Sequence, residues 1–353
     1  MSRFLHRRLL LALAAWHCLL ALAAWLSPQP PLRQYRDFPS APPTPIHIQT
    51  ADGRLSWPYV CALTPHPIDF GVYLEDCQQQ FGLRLLTLRP DGQLALLQSE
   101  GPERFFLLGT DEFGRDIFSR MLAGGLLSVG TGLGATLVAL ALASVAGGVA
   151  GFYGGFADSA LNRTAELLMA APLLYLLLAV RAALPIQMDP VHAFWIAIAM
   201  VSLVGWTRPA RLVRGVVLSA RTRGYVLASR GFGAGPSHLL RRHILPEALP
   251  VLWTQAALLA PQFVLLEVTL GFLGLGLPEP SPSWGSMMAS LRQYDTLTSR
   301  WWMWSPAVAL TISLLLFSGY AQSLEEAAGE QEPTEGTQWD GTYSEMEGVT
   351  KRQ

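Results

Sequence analysis

Six stretches of this 353-residue chain are apolar and close to the length that crosses a bilayer, about 17–25 residues. They run from about Leu9 to Leu26, Gly125 to Ala150, Leu167 to Leu184, Val191 to Trp206, Leu249 to Leu275 and Trp304 to Ala321; the fourth is short. Charged residues make up 14% of the chain, against roughly 25% in an average soluble domain. A chain of this kind folds with the bilayer as part of its solvent. The expected fold is an all-α, polytopic membrane protein with about six transmembrane helices.

Arginine placement gives the expected orientation, because basic residues are retained on the cytoplasmic side. Arg3, Arg7 and Arg8 precede the first run. Between the fourth and fifth runs lie Arg208, Arg211, Arg214, Arg221, Arg223, Arg230, Arg241 and Arg242, with Glu247 the one acid. Both features place the N-terminus and this loop inside, and six spans return the C-terminus there. Basic residues, an apolar run and Ala21-Leu22-Ala23 also fit a secretory signal, but the run is long for one.

Residues 28–115 are the one long segment expected outside. Pro28, Pro30, Pro31, Pro42, Pro43 and Pro45 make its start an extended linker. Pro45–Thr50, Asp52-Gly53 and Leu55–Leu63 read as strand, turn and strand. Leu83–Arg89 and Gln93–Gln98 read as a hairpin about Pro90-Asp91-Gly92. The result is a small β-rich cap. Cys61 and Cys77 fall within it, and an oxidising compartment permits a disulfide or leaves two separate thiols. The expected organisation is an N-terminal helix over 1–27, linker and cap over 28–115, a helical core over 116–322 and an acidic tail over 323–353. That tail, rich in Glu, Gly and Thr, is expected to be disordered.

Some chemistry is excluded. Lys351 is the sole lysine, so no P-loop lysine is available to nucleotide phosphates. The three cysteines and seven histidines match no metal-binding spacing. No catalytic residue, resident metal, cofactor or nucleic-acid surface is expected. An ion-driven secondary transporter would favour inverted repeats and several intramembrane charges; no clear repeat is visible, and Glu267 is the one acid well inside an apolar run. A membrane enzyme would need a nucleophile with its base; His17, in the middle of the first run, has no acidic neighbour.

The arginine-rich loop reads as helix, break, helix from Tyr225 to Pro246. Gly233 and Gly235 can end the first helix with positive φ, and Pro236 suits the first turn of the second. A short, stiff, basic hairpin of this type is suited to dock in a groove of another protein. Its residues Leu227-Ala228-Ser229, Gly233, His243 and Leu245-Pro246 resemble the EAA signature of ATP-binding-cassette (ABC) importer permeases, with Leu227 in place of the glutamate.

Three further stretches resemble the dipeptide, oligopeptide and nickel branch of that family. They are Leu108-Gly109-Thr110-Asp111-Glu112-Phe113-Gly114-Arg115-Asp116 before the second span, Gly151–Gly155 with Asp158 after it, and Glu267–Gly276 with Ser283-Trp284-Gly285 at the end of the fifth. The resemblance covers roughly 105–322 and is to the C-type permease. It implies a type I ABC importer transmembrane domain and an inner-membrane, multi-pass location. The implied partners are a second permease, two ABC ATPase subunits that use ATP and Mg, and an extracytoplasmic substrate-binding protein. It also implies that loop 207–247, through Tyr225, Ala228, Ser229, Arg230, Gly233, His243, Leu245 and Pro246, couples to the ATPases. Peptides are the expected solute, with nickel or another small solute as the alternative.

Each feature also has a plainer reading. Gly154-Gly155 can be a tight loop, and Arg115 and Asp116 can anchor a helix end. Glu267 is either part of a pathway or a hydrogen-bonded structural acid. Arg181 reads as snorkelling, Trp301, Trp302 and Trp304 as an interfacial belt, and Pro172 and Pro261 as helix kinks.

Overall fold

The computed structural model describes residues 2–49, 54–66, 71–88, 92, 94–99, 105–170 and 188–329, with scattered positions between 172 and 185. The acidic tail from 330 and eight of the eighteen residues of the expected third span, Arg181 among them, lie outside the described residues. Helix α1 (Ser2–Trp25) is followed by strands β1 (His47–Gln49), β2 (Leu55–Pro65), β3 (Tyr73–Leu88) and β4 (Leu94–Ser99). Next come α2 (Ile117–Tyr153), α3 (Gly155–Ala170), α4 (Pro190–Gly205), α5 (Thr207–Ala220), α6 (Gly224–Gly231) and α7 (Pro236–Leu239). The chain ends in α8 (Leu249–Phe272), α9 (Trp284–Met288), α10 (Tyr294–Ser299) and α11 (Ser305–Gly329).

Among the described residues, four helices are long and apolar enough to cross a membrane: His6–Trp25, Ile117–Tyr153, Pro236–Phe272 and Trp301–Ala327. The fourth expected span is α4, a 16-residue helix that Asp189 caps by accepting from the Val191 and His192 amides. Helix α2 starts earlier than its apolar run, because Asp116 Oδ2 accepts from Ser119 N at 2.8 Å and so satisfies an amide at the helix start. At 37 residues it is about 55 Å long and overshoots the roughly 30 Å hydrocarbon layer. The apolar side chains Leu137 and Val145 on α2 are 70% and 67% exposed, as suits a surface solvated by lipid or by another membrane chain.

Helix α2 is the axis of the bundle and packs on α1, α3, α4, α5, α8 and α11. Glycines set its closest approaches. A Cβ at Gly132 would lie 2.4 Å from Val264 Cγ2 and 2.8 Å from Val264 N; one at Gly147 would lie 2.3 Å from Ala210 O. Small residues thus let backbones touch where apolar burial gives little drive between helices in lipid. Helix α1 lies against α11, where Trp16 Nε1 donates to Ser313 Oγ at 2.8 Å and His6 stacks on Tyr320. Leu13, Ala257, Ala260 and Phe317 join α1, α8 and α11 in one core.

The cap is a four-stranded antiparallel sheet in the order β1-β2-β3-β4. Its hairpin is confirmed, but β3 begins ten residues before the expected Leu83. The added stretch, Tyr73 to Gly82, is mostly polar and carries no alternation; pairing with β2 holds it extended. Cys61 and Cys77 are disulfide-bonded. The expected tryptophan belt is corrected at one position. Trp301 and Trp304 are 65% and 44% exposed, but Trp302 is buried with Ile117, Leu291 and Met303, its Nε1 donating to Thr110 O.

Candidate functional sites at the two ends of the bundle

At the sheet-bearing end, the motif before α2 folds into a clamp. Gly109 and Gly114 have φ of +69° and +73°, which favours residues without a Cβ. A Cβ there would also lie 2.4 Å from Ala41 O and 2.1 Å from Tyr35 O. Thr110 Oγ1 accepts from Ala41 N at 2.8 Å and donates to Phe38 O. The motif thereby grips the proline-rich linker through its backbone. Asp111 Oδ1 accepts from the amides of Phe113 and Arg115, both at 2.9 Å, and its Oδ2 accepts from Arg115 Nε at 2.7 Å.

The same cluster takes in two residues that sequence reasoning missed. Arg115 Nη1 donates to Glu279 Oε2 at 2.6 Å, and Arg120 Nη2 lies 3.4 Å from Glu279. Arg120 is 1% exposed, so its charge is held by Glu279 and by Asp111, 3.7 Å away. An arginine in the first turns of an apolar helix was a sign that a partner existed. Glu279, between Pro278 and Pro280, carried no local sign at all.

Glu267, Trp284 and Gly285 lie together below this cluster. Trp284 is fully buried; its Nε1 donates to Met121 O at 2.9 Å and its amide to Ser128 Oγ at 3.1 Å. A Cβ at Gly285 would lie 2.5 Å from Val268 O, so glycine is what allows α9 to rest on α8. Glu267 is 3% exposed and faces the hydroxyls of Ser128 and Ser283, without closing a hydrogen bond of ordinary geometry to either. Pro261 lies inside α8 as expected.

At the arginine-rich end, α5, α6 and α7 fold as one hairpin. Val213, Val217, Val226, Leu239 and Ile244 form its core, with Leu245 packed against them. Gly233 has φ +87° and a Cβ there would meet open space. Its requirement for glycine is therefore conformational. Gly235 differs from expectation: its φ is −71°, and it precedes α7 as an extended residue. The chain needs one left-handed residue to turn, and Pro236 then restricts the residue before it to extended backbone.

A π turn over Leu240–Ile244 and a 3-10 turn over Leu245–Ala248 join α7 to α8. Pro246 and Pro250 lack amide protons, so the regular ladder cannot run through this join. That distortion presents His243 to the loop. Ser229 Oγ and His243 Nε2 are 3.5 Å apart, and the Tyr225 hydroxyl donates to Glu247, which also pairs with Arg223 at 2.7 Å. Tyr225, Ala228, Ser229, Phe232, Gly233 and His238 line an open cleft, and Phe232 is 92% exposed. Arg230 is exposed beside it, and Pro246 is exposed in the 3-10 turn.

Asp158 ties this hairpin to the bundle. Arg214 donates to both of its oxygens, Nη2 to Oδ2 at 2.6 Å, and Asn162 Nδ2 donates at 3.1 Å. The Arg214 guanidinium holds the Asp158 carboxyl below the usual carboxylate range. Arg221 Nη1 donates to Gly151 O at 3.2 Å. The glycine turn between α2 and α3, with Gly154 and Gly155 at φ +70° and +56°, thus brings an acid to a loop otherwise rich in arginine.

Residues 118–327 match the family described as the binding-protein-dependent transport system inner membrane component. A Brucella suis chain whose name carries the words "peptide permease protein" is 30% identical over 72% of this chain and 87% of its own length. The oligopeptide transport system permease protein of Bacillus subtilis is 35% identical over 64% of this chain and 72% of its own. The di/tripeptide transport system permease protein of Pseudomonas aeruginosa is 38% identical over 65% and 73%. A helical membrane bundle, a signature hairpin folded as a unit and a match over more than half the chain agree: this chain belongs to the inner-membrane permease family of binding-protein-dependent ABC importers.

Proposed function

We propose that the chain is one of two permease subunits of an ATP-driven importer that carries short peptides into the cytoplasm. The observation that carries this reading is the hairpin built on α5–α7. Its inner face is fixed by an apolar core and by Asp158–Arg214, while Tyr225, Ala228, Phe232 and Gly233 are turned outward as a group. A rigid element with an unfilled outer face suits docking into an ATPase groove. The relatives' names, all of peptide systems, support the substrate class.

In this reading, ATP and Mg are used by two partner ATPase subunits, and no covalent chemistry is done by this chain. A second permease completes the solute path, and an extracytoplasmic binding protein delivers the peptide. Closure of the ATPases pushes the hairpin, and the π and 3-10 join passes that movement into α8, exchanging two packed states of the bundle. Both termini and loop 207–247 are cytoplasmic, and the cap over 28–115 is outside. The helical core starts at 116 and α11 carries it to Gly329, so the expected tail is corrected over 323–329: Ser323 is buried there and bonds to His6.

The reading is tested by purifying the assembled complex and identifying the ligand retained by its binding protein by mass spectrometry. Peptides of a few residues are expected. A metal ion or a sugar would overturn the substrate class. Single cysteines at Thr222 and Gly92 test the orientation: impermeant reagents are expected to reach the first only from the cytoplasm and the second only from outside.

A further inference from the structure

The cap sheet gathers four side chains that the transport reading leaves without a role. His47 on β1 pairs with Tyr59 of β2, and Glu75 on β3 pairs with Leu63 of β2. Tyr59, Cys61 and Leu63 alternate along β2 and so share one face of the sheet. His47 and Glu75 therefore flank Cys61 on that face. The register then jumps: Cys61 faces Gln80 while Ala62 faces Asp76, so residues 77–79 bulge from β3. Bulges re-aim side chains, and this one carries Cys77 onto Cys61.

One ligand-type atom from each of His47, Cys61, Glu75 and Cys77 lies within 4.8 Å of the others. His47 Nε2 is buried, makes no hydrogen bond and sits 3.3 Å from Glu75 Oε2. Their positions in the sequence match no zinc spacing, because the sheet register and the bulge bring them together.

We propose that these four residues form a thiol-gated site for a divalent cation of the zinc class. In the oxidised cap both sulfurs are held in the disulfide, and the site is closed. A dithiol reductant opens it. Its thiolate attacks Sγ of Cys77, the exposed residue of the pair, the S–S bond breaks and Cys61 leaves as a thiolate. The second thiol of the reductant resolves the mixed disulfide, and the reductant departs as its own disulfide. Two electrons and two protons have then passed to the chain. Two cysteine sulfurs, one imidazole nitrogen and one carboxylate oxygen make a four-ligand set with the softness and number that Zn²⁺ takes. Calcium and magnesium, which need oxygen ligands, are excluded. Binding displaces the two thiol protons and joins β1, β2 and β3, where the disulfide joins β2 and β3 alone.

Co²⁺ is the probe. The full-length chain, with the exposed free Cys18 replaced (Cys18→Ser), is treated with dithiothreitol, cleared of it without air, and titrated with Co²⁺. One Co²⁺ per chain is expected, with a thiolate-to-cobalt charge-transfer band and the visible bands of a tetrahedral ion, both erased by Zn²⁺. The untreated, disulfide-bonded chain is expected to show neither band. His47→Gln leaves the disulfide in place to fold the cap, and its retention is read by thiol counting. Outer partners of metal ligands are worth about 10–100-fold in affinity, so losing a direct ligand should weaken binding at least that much. Failure of the reduced chain to bind Co²⁺, bands without sulfur character, or equal affinity in His47→Gln would each overturn the site. None of these outcomes bears on peptide transport, so the two readings fail separately.

Discussion

Arg115 and Glu279, 164 residues apart in sequence, meet with Nη1 2.6 Å from Oε2. The pair fastens the segment between α8 and α9 to the start of α2, and Arg120 shares the same carboxylate. The Arg115 and Arg120 side chains are 8% and 1% exposed, while that of Glu279 is 50% exposed. Removing one member of a buried pair costs about 3–5 kcal/mol, and the exposure of Glu279 lowers that. Glu279→Ala is expected to cost roughly 1–3 kcal/mol, and Glu279→Gln less, since its amide oxygen can still accept. Unfolding of the purified chain, followed by heat or denaturant, checks both. Wild-type stability in Glu279→Ala would show that Asp111 alone holds the two arginines.

The Asp158–Arg214 pair has a defined pH dependence. Asp158 has a folded pKa below its ordinary value because Arg214 donates to it. A carboxyl depressed in this way stabilises the fold above its unfolded pKa, and that contribution is lost as pH falls through the folded value. Wild type is therefore expected to lose stability relative to Asp158→Asn as pH falls below about 4. The gap between the two unfolding curves is the quantity to follow. A gap that stays constant from pH 7 to pH 3 would rule out an ionic link.

Packing of α2 on α8 depends on Gly132. A methyl group there meets Val264 Cγ2 at 2.4 Å and the Val264 backbone at 2.8 Å. Gly132→Ala is expected to reduce the yield of folded chain. Adding Val264→Ala removes the side-chain clash and leaves the backbone one, so recovery should be partial. Full recovery would mean that the helices separate freely, and no recovery would mean that the backbone contact decides. Size-exclusion profiles of the three chains in detergent give the comparison.

These elements differ in how far they could be read from sequence. Long apolar runs revealed the helices, because membrane length and charge depletion leave a strong mark. The hairpin break at Gly233 was legible for a similar reason: a left-handed turn leaves a glycine. The role of Glu279 was not legible, since an acid between two prolines looks like any solvent-facing loop. Nor was the β3 stretch from Tyr73 to Gly82, where a polar strand is stabilised by its neighbour rather than by its own pattern. Gly235 was read as a second left-handed residue, although Pro236 governs its backbone.

Glu267 is expected to act through shape and hydrogen bonding. It is buried against Ser128 and Ser283, and Trp284 and Gly285 pack beside it. Glu267→Gln keeps its size and its acceptor, and should assemble and transport nearly as wild type does. Glu267→Leu leaves the hydroxyls facing an apolar group and should lose transport through misassembly. Transport assays paired with complex yield separate the cases. Loss of transport in Glu267→Gln with assembly intact would assign the carboxylate a charge-dependent part in the cycle.

Uptake of a labelled dipeptide into proteoliposomes carrying the assembled complex tests the central claim most directly, with Gly233→Val measured alongside. Valine at φ +87° places a β-branched residue in a conformation it strongly disfavours. It does so in a loop where added volume meets open space. Wild-type uptake is expected to require ATP and the binding protein. The variant is expected to insert in the membrane yet lose both uptake and the stimulation of ATP hydrolysis by loaded binding protein. Uptake driven by an ion gradient without ATP, or unchanged coupling in Gly233→Val, would contradict it.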